Sequence, residues 1–423
     1  MAVTQEDVAL RLRAAREAAG LTQEEAGRRL GIARTAMVQL ERGSRSVSGI
    51  ELVGLARLYG RDIRSFVDDE EPKSRSIVAL YRSFVEPGDT AATDALQSCL
   101  RIGRELTDLE RAVGLDRRLA ASVTYSPPQP RSRFDAIRQG AGVALQERQR
   151  LGIGDAPIRD MGEFLERQGV RTAELDLPKD VAGLMVVDDE IGPLVVVNRG
   201  EAFARRQFSF AHEYAHVILD ADAGGLVSRD SSREELTEVR ANAFAANFLL
   251  PEGGIRRYLS TVGKEGGSRL LVETPSDDNG VDVMEGRDAQ PREIRLHDVV
   301  LLARHFGVSR QVVLYRLRNI GVLKETELQA LLQQERAGHG RRLAALFDGG
   351  EPPPEPGGKR FATRLLGLAF EAVARNAISL EKFRELMELA PGCGDAAATW
   401  NELLPVVAGL KPDEHCSKAL GFR

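Results

Sequence analysis

The chain has 423 residues, 43% apolar and 29% charged, the balance of a folded, water-soluble protein of two to four domains. A net charge of −5 excludes a nucleic-acid footprint spread over the whole surface, so any DNA contact has to come from a local patch. Cys99, Cys393 and Cys416 are too few and too far apart for a disulfide framework, no stretch approaches the roughly 20 apolar residues of a membrane span, and no signal-peptide pattern opens the chain, so the expected setting is a reducing cytoplasm with no membrane partner.

Residues 1–66 read as an all-helical unit. Val8, Leu12 and Ala15 recur at helical spacing over 7–18, and Gly20 stops that helix. Thr22 with Glu25 three residues later forms a capping box for a second helix, which Gly31 closes. A third covers 33–42 and ends at Gly43, anchored by Val38 and Leu40; a fourth starts at Ser48 and turns Ile50, Leu52, Val53 and Leu55 inward. The polar run Asp68-Asp69-Glu70-Glu71-Pro72-Lys73 marks a boundary. Residues 74–125 read as helix without assignable chemistry, and Ser126-Pro127-Pro128-Gln129-Pro130 as a semi-rigid linker. The pattern is helical again over 134–168, and 170–175, 181–187 and 194–197 read as short strands of a small sheet. Helices are expected at about 205–219 and 233–250, with Pro251 ending the second. Residues 261–293, rich in Gly, Asp, Glu and Ser, read as a mobile insertion, followed by a helical pair at 296–306 and 309–320. Residues 351–358 form a Pro/Gly linker, and the tail from Arg360 is helical.

The pentapeptide His212-Glu213-Tyr214-Ala215-His216 carries most of the chemistry. At i and i+4 its histidines share a helix face, close enough to bind one Zn²⁺, and Glu213 between them can take a proton from water that the ion activates. With only 6 His in 423 residues, fewer than about one such chain in a hundred matches this pattern by chance. Two ligands do not complete a zinc site. The metzincin solution, a histidine six residues further on after a glycine, fails because Leu219 and Asp222 stand there. A glutamate on the next helix remains: Glu234, Glu235 or Glu238. Glu238 is favoured, because it shares a helix face with Asn242 and Ala245, and the run Ala241, Ala243, Ala245, Ala246 lets that helix approach its neighbour closely. Asp220 and Asp222 either orient a ligand histidine or end the helix.

Three segments in order resemble the ImmA/IrrE family of metallopeptidases. They are Leu194-Val195-Val196-Val197-Asn198 with Arg206-Gln207-Phe208-Ser209-Phe210-Ala211 leading into the pentapeptide, Glu238-Val239-Arg240-Ala241-Asn242-Ala243-Phe244-Ala245 with Leu249-Leu250-Pro251, and Ala303 to Ser309 with Arg316 to Gly321. The resemblance covers about 134–323. It implies His212, His216 and Glu238 as zinc ligands, Glu213 as general base, zinc-dependent peptide-bond hydrolysis, and a helix-turn-helix repressor as the typical substrate. It supplies no oxyanion-stabilising residue; Tyr258, His297 and Tyr315 are the candidates. Mn²⁺ stays open beside Zn²⁺, since two imidazoles and a carboxylate hold either.

The run from Leu21 to Gly43 resembles the helix-turn-helix of XRE-type (Cro and repressor) regulators, a likeness that spans 7–66. Ala26 is small where the two helices cross, and Gly31 permits the tight turn. The resemblance implies binding of double-stranded DNA by residues 1–66, with Gln23, Arg34, Thr35 and Gln39 at base edges and Arg42, Ser44 and Arg45 at phosphates. The local charge is compatible, with 11 arginines against 8 acidic residues.

The expected fold is mainly α with a small β-sheet (α+β). A helix-turn-helix domain at 1–66 and a helical connector and linker at 67–133 would precede a gluzincin-like zinc peptidase domain at 134–325 and a helical C-terminal region at 326–423. The expected function is a zinc endopeptidase fused to a DNA-binding domain, cleaving a repressor or antitoxin-like regulator that controls stress or mobile-element genes; a homodimer is left open. One rival is a DNA-binding regulator whose peptidase-like domain senses without turnover, and another is a toxin-like partner protein.

Overall fold

The computed structural model describes residues 4–18, 21–59, 63–67, 90–115, 123–188, 191–223, 225–229, 234–264, 271–275, 281–285, 293–347 and 360–388. The N-terminal unit comprises α1 (Gln5–Ala18), α2 (Gln23–Leu30), α3 (Arg34–Glu41), α4 (Gly49–Tyr59) and the short α5 (Arg64–Val67). They enclose a core of Leu12, Leu21, Ala26, Met37, Leu40, Leu55 and Phe66. α2 starts as the capping box dictates, with Glu25 N donating to Thr22 Oγ1 at 3.2 Å and Thr22 N donating to the Glu25 carboxylate at 2.9 Å. Gly31 closes it at φ +74°, a left-handed conformation that a side chain would strain.

Two anchors differ from the sequence reading. Met37 and Leu40, three residues apart on one face, are the buried pair of α3, and Val38 is half-buried. In α4 the inward face is Leu55, Ala56 and Tyr59. The helical period carries Ile50 and Val53 outward, leaving Ile50 88% exposed.

The second part is built on a four-stranded sheet of β1 (Arg171–Leu175), β2 (Val181–Val186), β3 (Leu194–Asn198) and β4 (Gly225–Arg229), in the order β1-β3-β2-β4. β1 and β3 are parallel; β3–β2 and β2–β4 are antiparallel. β3 is buried along its whole length because both faces of the sheet are covered. Alternation splits its side chains between two cores. Val195 and Val197, with Met185, join the core that holds α7 (Arg133–Arg150), α8 (Met161–Arg167), α9 (Phe203–Leu219) and α10 (Leu236–Leu249). Leu194 and Val196, with Leu184 and Val186, face α6 (Thr90–Ala112) on the other side.

α11 (Glu252–Thr261), α12 (Leu296–Phe306), α13 (Arg310–Asn319), α14 (Glu325–Arg336) and α15 (His339–Phe347) continue the first core. α16 (Arg360–Ala374) and α17 (Leu380–Glu388) complete the second, through Leu365, Ala369 and Ala372 and through Phe383 and Leu386. The tail is therefore packed onto the back of the sheet. Arg364 ties it there, pairing with Glu110 of α6 and, at 2.7 Å, with Glu166 of α8, while Arg171 pairs with the same Glu110 at 2.7 Å.

The helical reading of 74–125 holds only for α6 among the described residues. Residues 123–132 are non-helical, as Pro127, Pro128 and Pro130 require, and Tyr125 N donates to Ile218 O at 2.7 Å, fastening this strap to the end of α9. Within the expected insertion, β5 (Leu271–Pro275) and β6 (Val281–Glu285) pair antiparallel. The alternation Val281-Asp282-Val283 is the period-two signal that its acidic composition masked. The linker expected at 351–358, and Cys393 and Cys416, lie outside the described residues. No helix among the described residues is long and apolar enough to cross a membrane.

Candidate metal centre and DNA-binding face

α9 and α10 cross beneath the sheet, and their contact surface builds the site. His212 and His216 lie one turn apart on α9, both buried, and Glu238 in the first turn of α10 meets them. His212 Nε2 stands 3.2 Å from His216 Nε2 and 3.1 Å from Glu238 Oε2, and His216 Nε2 stands 3.4 Å from Glu238 Oε1. A tetrahedral zinc with bonds of about 2.0–2.1 Å separates neighbouring ligand atoms by about 3.3 Å, so the donor set fits that ion. Glu234 and Glu235, the other two candidates, are outside this group.

Each ring is held from behind. His212 Nδ1 lies 3.1 Å from Asn242 Oδ1, and His216 Nδ1 lies 2.8 Å from Asp220 Oδ2. Donation from Nδ1 leaves the Nε2 lone pairs for the ion. Asp220 is fixed in turn by Arg240, buried on α10, at 2.5 Å. Of the two aspartates left open by the sequence, Asp220 orients a histidine and Asp222 is exposed. Asn242 was legible only as a neighbour of Glu238 on its helix face, and Arg240 carried no sequence signal.

Charge balances locally. Burial opposes ionisation of Glu238, but the hydrogen bonds with His212 and His216 outweigh it and hold the carboxyl at about 2. Burial likewise opposes charging of His216, yet Asp220 and Glu238 raise it to about 10, so an ion binding at Nε2 would displace a proton there. Glu213 is different. It is fully buried, Ser228 of β4 is the hydrogen-bonding side chain beside it, and burial pushes its pKa up against the pull of both histidines and of Ser228.

Glu213 fits because residue 183 of β2 is glycine. A Cβ there would stand 2.8 Å from Glu213 Oε1 and 3.0 Å from Val196 O. The register between β2 and β4 shifts between Val181 and Gly183, a bulge that sets Gly183 opposite Ser228 beside the carboxylate. β4 was missed from sequence, since Gly225-Leu226-Val227-Ser228-Arg229 is short and polar at its end.

The site opens into a cleft of about 520 Å³ between α9, α10, β4 and α13. Tyr315, one of the three oxyanion candidates, lines it and is 45% exposed. Tyr258 stacks on His305 and His297 contacts Asp298 at 3.2 Å, and neither lines the cleft.

On the N-terminal unit, Arg34, Thr35 and Gln39 project from α3 into solvent, with Arg42 and Ser44 exposed just beyond it. Ser44 Oγ donates to Gln39 O at 3.2 Å. Gln23 is half-buried and donates to Glu41 Oε2 at 2.8 Å, and Arg45 pairs with Glu51 at 2.6 Å. Beneath this face Glu41 accepts from Arg16 Nε at 2.6 Å and from its Nη2 at 3.0 Å, a buried bidentate pair.

Residues 165–265 match the family model of the IrrE N-terminal-like domain, and residues 12–66 match that of the helix-turn-helix family. Comparison with curated proteins gave no match. The first match contains β1 to β4, α9, α10 and every residue of the candidate centre. The second contains α2 to α4 and the exposed residues of α3. The chain thus joins a helix-turn-helix DNA-binding domain to a metallopeptidase-like domain of the IrrE N-terminal-like family.

Proposed function

We propose that this chain is a zinc-dependent endopeptidase tethered to its own DNA-binding domain. Its proposed substrate is a helix-turn-helix repressor or antitoxin-like regulator of stress or mobile-element genes. The observation that carries this reading is Glu213, a carboxylate buried completely beside three convergent donor atoms. A purely structural metal site gains nothing from such a group, and a carboxylate buried so deeply costs stability. Function is the compensation.

In this reading His212, His216 and Glu238 hold the ion, with Zn²⁺ preferred over Mn²⁺ from the imidazole-rich set. Bound zinc would supply Lewis acidity that polarises a substrate carbonyl and lowers the pKa of water. Glu213 takes the proton of the attacking water and delivers it to the leaving amine. Asn242 and Asp220 keep both rings in the ligating tautomer. Among the described residues β4 pairs only with β2, and its other edge offers main-chain groups to an extended substrate added as a strand. Tyr315 is the group in the cleft suited to donate to the developing oxyanion.

Arg34, Thr35 and Gln39 would read base edges from the major groove and Arg42, Ser44 and Arg45 would contact phosphates, bringing the peptidase to the operator its substrate occupies. Boundaries follow as proposed above, with one change: α6 and α14 to α17 pack into the two cores of the peptidase part and are assigned to it.

The test is a mass-spectrometric survey of new protein N-termini in cells carrying wild type or Glu213→Gln. A terminus within a few helix-turn-helix proteins, or within this chain, present only with wild type would establish the peptidase. Matching profiles under normal and stressed growth would favour a DNA-bound sensor instead.

A further inference from the structure

Beyond the metal centre, the charged side chains that line the cleft are of one sign. Apart from Glu213 and the donor Glu238, the cleft is lined by no carboxylate among the described residues, and its remaining charged side chains are Arg205 of α9, Arg229 of β4 and Arg316 of α13. Three separate elements thus deliver guanidinium groups to one cavity of a chain whose net charge is −5. A cleft of one sign within a low-dielectric wall focuses its field on a ligand of the other.

The three arginines are not equivalent. Arg205 pairs with Glu201 and Arg229 with Asp180, each at 2.9 Å, and the Arg205 guanidinium and the Asp180 carboxylate are exposed to solvent. Arg316 is half-buried, and the carboxylate that acts on it, Glu252, is already paired with Arg256 at 2.8 Å. Its Nε donates to Leu250 O at 3.0 Å, which anchors the guanidinium by one edge. A guanidinium keeps its charge when buried, and its fork matches a carboxylate through two parallel hydrogen bonds. A cation in that position, already oriented, is a subsite for an anionic side chain.

We propose that the metal cleft selects an acidic peptide segment, with Arg316 as the specificity-determining residue and Arg205 and Arg229 as the outer attracting charges. The proposal rests on the endopeptidase reading of the same site and names its substrate class: an extended chain bearing Asp or Glu next to the bond that lies over the donor atoms.

Binding tests it apart from turnover. Full-length, zinc-loaded Glu213→Gln protein is titrated against a labelled synthetic peptide of residues 65–72, Ser-Phe-Val-Asp-Asp-Glu-Glu-Pro, and against its counterpart with Asn and Gln in place of the four acids. Fluorescence anisotropy is expected to show the acidic peptide bound at least about tenfold more tightly, an advantage that shrinks as salt rises. Arg316→Gln is expected to reduce it to within about twofold. Should that substitution unseat α13 by losing the Leu250 bond, Arg205→Gln, which breaks only an exposed pair, has to lower the preference by about threefold. Equal binding of the two peptides, or binding of neither, overturns the proposal. Cleavage of both peptides by wild type at equal rates would overturn it while leaving the endopeptidase reading intact. Selective binding with no cleavage of any protein would do the reverse.

Discussion

The Tyr214 hydroxyl, on the face of α9 turned away from the metal donors, donates to the buried carboxylate of Glu147 on α7. Tyr125 of the strap donates to the same carboxylate at 2.9 Å, and Arg150 meets it through two nitrogens at 2.7 Å. The variable residues inside an H-E-x-x-H motif are free to serve the fold, and here one of them locks the helix of the candidate metal centre to its neighbour.

Glu147→Gln should therefore destabilise the protein by about 2–4 kcal/mol, since Arg150 and both tyrosines lose a charged acceptor. Burial works against ionisation of Glu147, but Arg150, Tyr214 and Tyr125 prevail and hold its pKa below the ordinary carboxylate value. A depressed pKa contributes stability that is full above the unfolded-state value and is lost as pH falls through the folded one. Thermal melts should show the deficit of the variant at neutral pH and its narrowing below about pH 4. A deficit independent of pH would mean the carboxylate charge plays no part.

Gly183→Ala probes the seat of Glu213. The added Cβ meets Glu213 Oε1 at 2.8 Å and the Val196 carbonyl at 3.0 Å, and only the side chain can give way. Zinc content should remain near stoichiometric, because no donor atom touches residue 183. Peptide turnover should fall by about a hundredfold or more, the scale of losing a positioned general base. Metal analysis and cleavage assays on one preparation separate the two effects, and parallel loss of metal would show that the whole centre had collapsed.

How much of this was legible depended on whether the signal was local. The i, i+4 histidines and Glu238 could be read because helical spacing determines which side chains share a face, and the capping box Thr22–Glu25 because it closes within one turn. Asn242 behind His212 and Arg240 behind Asp220 could not, since each depends on how α9 crosses α10. The same holds for α16, whose stripe Leu365, Ala369, Ala372 marks an inward face without saying that its partner is the back of the sheet. β4 has five residues and no clean alternation, so only its pairing with β2 defines it. Met37 rather than Val38 is buried because a one-residue phase error in a short helix turns the face by about 100°.

Asp220→Ala should weaken zinc by about ten- to a hundredfold, the usual loss when the carboxylate behind a ligating histidine is removed. His216 would keep its place in the turn but lose the acceptor at 2.8 Å that fixes its ring, and Arg240 would be left buried without a counter-charge. Asn242→Ala removes a neutral acceptor at 3.1 Å and should cost less. Competition with a chelating dye orders the two variants, and the opposite order would remove Asp220 from the role of orienting His216.

The DNA-binding unit allows fold and recognition to be separated. Glu41→Ala strips the buried counter-charge from Arg16, leaving it the more exposed Glu17 at 3.4 Å and the Leu21 carbonyl at 2.7 Å, and frees Gln23. Removing one partner of a buried pair costs about 3–5 kcal/mol, a large share of what so small a unit possesses. Limited proteolysis of the full chain should then cut within residues 4–67 while the rest resists. Arg34→Ala, on an exposed side chain, should leave that pattern unchanged and weaken operator binding by about 1–3 kcal/mol, with relaxed sequence preference if Arg34 reads a base and a shallower salt dependence if it meets a phosphate. Undiminished binding by Arg34→Ala would place the recognition surface away from the N-terminus of α3.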